Sequence, residues 1–171
     1  MKKIVLTFGV LSGSVSALLM LATVPFMDRI GFDRGAFIGY TAMLISFLFV
    51  YFGVRSYRDN ASGGALTFGR GLAVGLLITL ISCVFYVAAW EIVYFNFTPD
   101  FMDKYTAYSI EKMRAAGAAQ AAIDATTKQM AEFTKLYANP LYNSAMTFLE
   151  PLPVGLLVTL VSAVTLRKKA A

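Results

Sequence analysis

The sequence predicts an all-α integral membrane protein: one bundle of four transmembrane helices with a helical hairpin on the extracytoplasmic side. Composition is the first observation behind this. Hydrophobic residues make up 58% of the 171 and charged residues only 15%, with a mean hydropathy of +0.65. Ordinary soluble domains hold roughly half and a quarter. The second observation is a set of four apolar runs, each close to the roughly 20 residues needed to cross about 30 Å of hydrocarbon. The third is the one-sided placement of Lys and Arg. At this length the chain reads as a single membrane domain, 1–171.

The first span covers about 4–26. Lys2 and Lys3 precede it as they would a secretory signal. The run is too long for a signal h-region, however, and no small-x-small cleavage site precedes a polar start, so it reads as an uncleaved span. The second span covers about 35–54. The connection that follows, from Arg55 to Gly71, is rich in glycine and arginine. No Lys-Ser or Lys-Thr follows Gly69, so the Walker pattern fails. The better account is a turn at Gly63-Gly64, with Arg55, Arg58 and Arg70 facing anionic lipid headgroups. Arg58 and Asp59 order the turn without contributing much, being exposed.

The third span covers about 71–97 and the fourth about 141–166. Between them, 98–140 is the one sizeable extramembrane segment. Thr98-Pro99-Asp100 is a helix start, with a capping hydroxyl and Pro at the first helical position. Phe101, Tyr105 and Tyr108 recur at helical spacing, and Gly117 sits in a break of small residues. Ile123, Met130, Phe133 and Tyr137 then repeat with helical period until Asn139-Pro140 stops the helix. The segment is a helical hairpin or an extension of the flanking spans, its apolar stripe packed on its partner helix. Tyr86, Trp90, Tyr94 and Phe95 near one face, and Tyr51, Phe52, Tyr57 and Phe68 near the other, form the usual interfacial belts.

Charge sets the expected orientation. Lys2, Lys3, Arg55, Arg58, Arg70, Arg167, Lys168 and Lys169 face only Asp59, whereas bases and acids balance in the 28–34 loop and in 98–140. Positive loops stay cytoplasmic, so both termini are expected in the cytoplasm of a multi-pass inner-membrane protein. The net charge of +5 is therefore a topology signal, and nucleic acid is not an expected partner.

Small residues recur every four positions: Gly9 and Gly13 in the first span, Gly35 and Gly39 entering the second, Gly71 and Gly75 in the third, Gly155 in the fourth. Lipid gives helices no hydrophobic drive to associate, so close approach through small faces does that work. These glycines read as packing faces within one bundle, or alternatively as a homodimer seam.

The chain has no His and a single Cys, Cys83. That excludes Ser-His-Asp and Cys-His catalysis, His-ligated zinc and an intramolecular disulfide. No catalytic, metal or cofactor site is expected, and the chain is not expected to be an enzyme.

Two carboxylates lie within spans, where charge is costly and usually faces protein. Counted from Arg70 and Arg167, Glu91 lies about 31 Å and Glu150 about 25 Å along their helices, close enough in depth to be neighbours. A close pair would share a proton near neutral pH. Asn143, Thr147 and Glu150 fall at i, i+4 and i+7 on one face, and Pro151 and Pro153 should free the carbonyls of Thr147 and Leu149. Such a broken helix resembles the ion and substrate sites of transporters. The alternative is that each carboxylate accepts a bond from a neighbouring hydroxyl, or snorkels, with no further role.

The chain also resembles a known family, the bacterial four-span membrane proteins of domain-of-unknown-function family 4199. The resemblance is carried by Tyr57-Arg58-Asp59 with Gly63-Gly64, and by Phe68-Gly69-Arg70 running into Val74-Gly75-Leu76. It continues through Trp90-Glu91, Pro99-Asp100-Phe101, Tyr105, Glu150, Pro153-Val154-Gly155-Leu156, Leu160-Val161-Ser162-Ala163 and Arg167-Lys168-Lys169. It covers nearly the whole chain and implies the four-span architecture and a bacterial inner membrane, but no activity. The functional expectation is a structural, accessory or envelope-related role through helix–helix, lipid or partner contacts. The rival expectation is a proton- or cation-coupled small-solute carrier using Glu150 and Glu91.

Overall fold

A computed structural model describes residues 1–168; Lys169, counted above among the C-terminal bases, lies outside them. The described chain is helical, with no strand. Its elements are α1 (Lys2–Thr23), a 3-10 turn (Val24–Phe26), α2 (Met27–Ile30), α3 (Phe32–Ala61), α4 (Phe68–Asn96), α5 (Phe101–Ala115), α6 (Gln120–Tyr137), α7 (Pro140–Leu149) and α8 (Leu152–Thr165). Four stretches are long and apolar enough to cross a membrane: Lys2–Ile30, Phe32–Ala61, Phe68–Asn96 and Pro140–Thr165. The outer surface is apolar as well. Phe37 is 75% and Leu141 81% exposed, which fits lipid as the surrounding solvent.

Residue register fixes the helix directions. Gly9 sits against Ile81 and Gly13 against Phe85, so α1 runs parallel to α4. Ser12 bonds to Ser46, and Gly53 lies under Phe8, so α3 runs antiparallel to α1. Gly71 meets Ala163, Gly75 meets Thr159 and Gly155 meets Thr79, so α8 runs antiparallel to α4. The start of α1, the turn between α3 and α4, and the end of α8 therefore share one end of the bundle, the termini end. There Leu66 and Lys168 exchange backbone hydrogen bonds of 2.8 and 2.9 Å. The turn itself uses Gly63 and Gly64 at φ 61° and 82°, a backbone region that costs other residues a steric clash.

The helix contacts are those lipid-embedded proteins rely on, small faces and buried hydroxyls. Ser12 Oγ donates to the Ser46 carbonyl at 2.8 Å and lies 3.0 Å from Ser82 Oγ. Thr79 and Thr159 hydroxyls are 3.1 Å apart. Gly9, Gly13, Gly71, Gly75 and Gly155 all lie at such intrachain contacts. Gly35 and Gly39 do not. A Cβ at Gly39 would meet nothing within 4 Å, and one at Gly35 would meet only Ile30 of the preceding turn, at 3.9 Å. Their four-residue spacing suggested a packing face, but Gly31 at φ 72° turns the chain so that this face opens on a cavity.

At the other end, α5 and α6 form the expected hairpin, reversed at Gly117 with φ 73°. Thr98 does not cap α5: Asp100 is the N-cap residue, and the Thr98 hydroxyl instead donates back to the Val93 carbonyl at 3.3 Å. Asn139 stops α6 and begins α7, its side chain accepting from the Leu141 N–H at 2.9 Å. Phe32, at the start of α3, packs on Phe101, Tyr105 and Tyr108 of α5, with ring centroids 5.0–5.7 Å apart. Ion pairs from Lys104 to Asp28 (3.0 Å) and from Lys112 to Asp33 (2.8 Å) tie the same helix to the 28–33 region.

A candidate membrane cavity and its polar groups

Where α1 and α3 part toward the hairpin end, α5 and α6 roof over a cavity of about 980 Å³. Its size is near the top of the range of small-molecule sites. The wall is mostly apolar and aromatic. Ser16, Met43, Tyr86 and the exposed Glu150 line it toward the middle of the bundle; Asp28, Asp100 and Lys104 lie at the hairpin. Gly35 and Gly39 line it, which gives their missing side chains a use that helix packing does not.

Glu150 reaches the cavity because the fourth span is broken. Pro151 cannot donate to the carbonyl of Thr147, so α7 ends at Leu149 and α8 restarts at Leu152, leaving Glu150 at the joint. The Thr147 carbonyl is not left free, contrary to the sequence expectation: the Glu150 N–H reaches it at 3.4 Å in a tighter turn. The Tyr86 hydroxyl, from α4, donates to Glu150 Oε2 at 3.0 Å.

Glu91 does not join it. Ser144 Oγ of α7 donates to Glu91 Oε1 at 2.9 Å, and Glu91 is not among the cavity-lining residues. The proximity expected from depth along the helices is not realised as a pair: each carboxylate has its own hydroxyl donor across the α4–α7 contact. Asn143 and Thr147 are likewise kept from the cavity, being buried in a hydrogen-bond circuit. Trp90 Nε1–H donates to the Tyr137 hydroxyl (2.9 Å), which lies 3.2 Å from Thr147 Oγ1. Thr147 donates to Asn143 Oδ1 (3.1 Å), and Asn143 Nδ2 donates to the Tyr137 carbonyl (3.3 Å). Because the Thr147 proton goes to Asn143, Tyr137 must be the donor to Thr147. Burial raises the Tyr137 phenol above its ordinary value, so it holds its proton and serves this circuit in one direction. The circuit locks α6 and α7 to α4.

At the termini end, Arg58 lies 2.7 Å and Arg55 3.6 Å from Asp59, and Arg70 donates to the Tyr57 hydroxyl at 3.2 Å. Arg70 shares a second cleft with Arg167 and Lys168.

A model of the family described as "Protein of unknown function (DUF4199)" matches residues 7–168. The chain belongs to this family. No curated protein and no solved structure matches it. The DUF4199 match takes in the first spanning stretch from residue 7 on, the other three, the hairpin and every cavity-lining residue, so the cavity lies wholly within the family's own domain.

The sequence reasoning missed the cavity and the parts played by Tyr86, Trp90 and Tyr137, of which the first two had passed as an interfacial belt and the third as part of an amphipathic stripe. One signal pointed to the cavity: Gly35 and Gly39, after the turn at Gly31, strip side chains from a single face of α3, leaving either a close contact or a void.

Proposed function

We propose that this protein is a non-enzymatic accessory protein of a bacterial inner membrane that takes an apolar or amphipathic molecule from the bilayer into the space beneath its hairpin. The carrying observation is the cavity of about 980 Å³, walled by apolar and aromatic side chains and set within the spanning helices. Large apolar cavities with a few convergent polar groups are the default binding sites of proteins. The basic residues at the termini end support cytoplasmic termini by the positive-inside rule, with the cavity toward the opposite face. Arg70, Arg167 and Lys168 around their own cleft support contact with anionic headgroups there. The absence of His from the sequence leaves no His-based acid–base catalysis and no His-ligated metal to account for. Membrane partners and self-association remain compatible roles for the exposed faces.

The test is native mass spectrometry of the chain purified in mild detergent, beside Gly39→Trp. A Cβ at Gly39 meets nothing within 4 Å and Gly39 lines the cavity, so an indole placed there takes up part of its space. The expected result is a hydrophobic molecule that copurifies with the wild type and not with the variant. A bare wild-type chain, or equal retention by both, would overturn the reading.

The carrier reading keeps one observation in its favour, Glu150 at a helix break facing the cavity. It loses the partnership with Glu91 on which a two-carboxylate site depends. Its measure is solute flux into reconstituted vesicles, abolished by Glu150→Gln in a variant that still folds.

A further inference from the structure

Charge and aromatic content narrow what this cavity takes. Four charged residues line it: Asp28, Asp100 and Glu150 against Lys104. Lys104 is already committed, 3.0 Å from Asp28 and 3.0 Å from Asp100, and those contacts raise its pKa above the ordinary lysine value. The one cation at the mouth is thus already paired, and its two carboxylates leave that end with a single net negative charge. Glu150, toward the middle of the bundle and open to the cavity it lines, has no cationic partner among the described residues and accepts one hydrogen bond, from the neutral Tyr86 hydroxyl. A carboxylate facing an apolar space without a counter-ion is costly, and a ligand that supplies the cation removes that cost.

The ring systems around it suit the same ligand. Tyr86, Trp90, Phe101, Phe133 and Tyr137 all line the cavity. Trp90 and Phe101 meet edge to face at 5.0 Å, and Phe133 and Tyr137 stack at 5.3 Å. Aromatic faces attract an organic cation through the ring quadrupole, more strongly once water is excluded. An anionic or strongly polar molecule would meet the carboxylate with nothing to pair its own groups.

We propose that the cavity binds a hydrophobic organic cation, an alkyl- or aryl-ammonium or phosphonium compound, with its charge against Glu150 and its apolar groups among Trp90, Phe101 and Phe133. This rests on the cavity reading above and names its ligand class.

The chain's single tryptophan, Trp90, lines the cavity and serves as the reporter. The experiment titrates tetraphenylphosphonium, tetraphenylborate and the neutral dye N-phenyl-1-naphthylamine into the full chain in phosphatidylcholine nanodiscs. Trp90 emission and equilibrium dialysis are read together. The cation should bind saturably, at least about tenfold tighter than the borate of the same shape. Glu150→Gln, which keeps an acceptor for Tyr86, should weaken the cation by about tenfold or more and leave the neutral dye unchanged. Tyr86→Phe, which removes the hydroxyl but keeps ring and charge, should hold cation affinity within about twofold. If the dye binds while cation and borate bind alike, or if Glu150→Gln binds the cation as well as the wild type, the cation proposal falls and the cavity reading stands. If neither dye nor cation binds, the cavity reading falls with it.

Discussion

Replacing Gly13 with alanine puts a carbon where α4 already has one. A Cβ built there falls 2.6 Å from both Cβ and Cγ of Phe85. Carbon atoms in contact sit at about 3.5–4.0 Å, and Phe85 Cβ is fixed to its backbone, so no rotamer relieves the overlap. The two helices must part by about 1 Å. Ser12, one residue earlier, lies 3.0 Å from Ser82 of the same α4, and that separation takes this contact beyond hydrogen-bond range. Overpacking of this kind costs about 1–3 kcal/mol, and each interhelical bond in a membrane protein is worth about 0.6 kcal/mol. Alanine's advantage over glycine within a helix returns about 0.5–1 kcal/mol. The net expectation for Gly13→Ala is a loss of about 1–3 kcal/mol. Gly39→Ala, with nothing near its Cβ, should instead gain about 0.5–1 kcal/mol. The assay is reversible unfolding in mixed dodecylmaltoside and sodium dodecyl sulfate micelles, followed by Trp90 fluorescence. If Gly13→Ala unfolds no earlier than the wild type, the close α1–α4 contact is wrong, and with it the helix directions read from that register.

Two further outcomes are expected. Single cysteines introduced near Ala118 and near Ser62, in a Cys83→Ala background, should respectively react with and escape an impermeant maleimide added to intact cells; the reverse pattern would invert the topology. The hairpin should detach from the bundle in alkali: hydrogen bonding to Asp33, and secondarily to Tyr108, raises the Lys112 pKa, so the attachment is complete below the ordinary lysine value of about 10.4 and is lost as pH climbs through the higher folded value. Spin labels at Phe37 and Ala118 should move apart over that rise and already be apart at neutral pH in Lys112→Ala. A distance unchanged by both perturbations would show that the ion pair does not hold α5.

Much of the fold was legible because its determinants are one-dimensional. Span length follows from bilayer thickness, and the breaks from Gly63-Gly64, Gly117 and Asn139-Pro140, each of which limits the backbone locally. The small-residue faces were legible as faces but not as contacts. Gly13 and Gly39 carry the same local signal, and only the three-dimensional arrangement separates one pressed on Phe85 from one facing open space. The Thr98 cap failed for a similar reason: α5 begins only at Phe101, with Asp100 at the N-cap, so the Thr98 hydroxyl is out of register and turns back to the Val93 carbonyl at the end of α4.

The candidate polar site shows the same limit more sharply. In an unbroken helix Asn143, Thr147 and Glu150 share a face, since steps of four and seven residues nearly complete whole turns. The prolines that made this face look like a transport site are also what dismantles it. With α7 ending at Leu149, Asn143 and Thr147 stay with α7 and close the circuit through Tyr137 and Trp90. Glu150 belongs to the joint and turns to Tyr86 and the cavity. The break therefore divides the fourth span by role. Its α7 half is bound to the hairpin through Tyr137, and its α8 half is bound to α4 through the Gly75–Thr159 and Thr79–Gly155 contacts. Glu150 sits between a half tied both to the hairpin and, through Ser144 and Glu91, to α4, and a half packed on α3 and α4. A ligand that pairs with its carboxylate would therefore sit at the joint of the two halves, beside Tyr86 of α4.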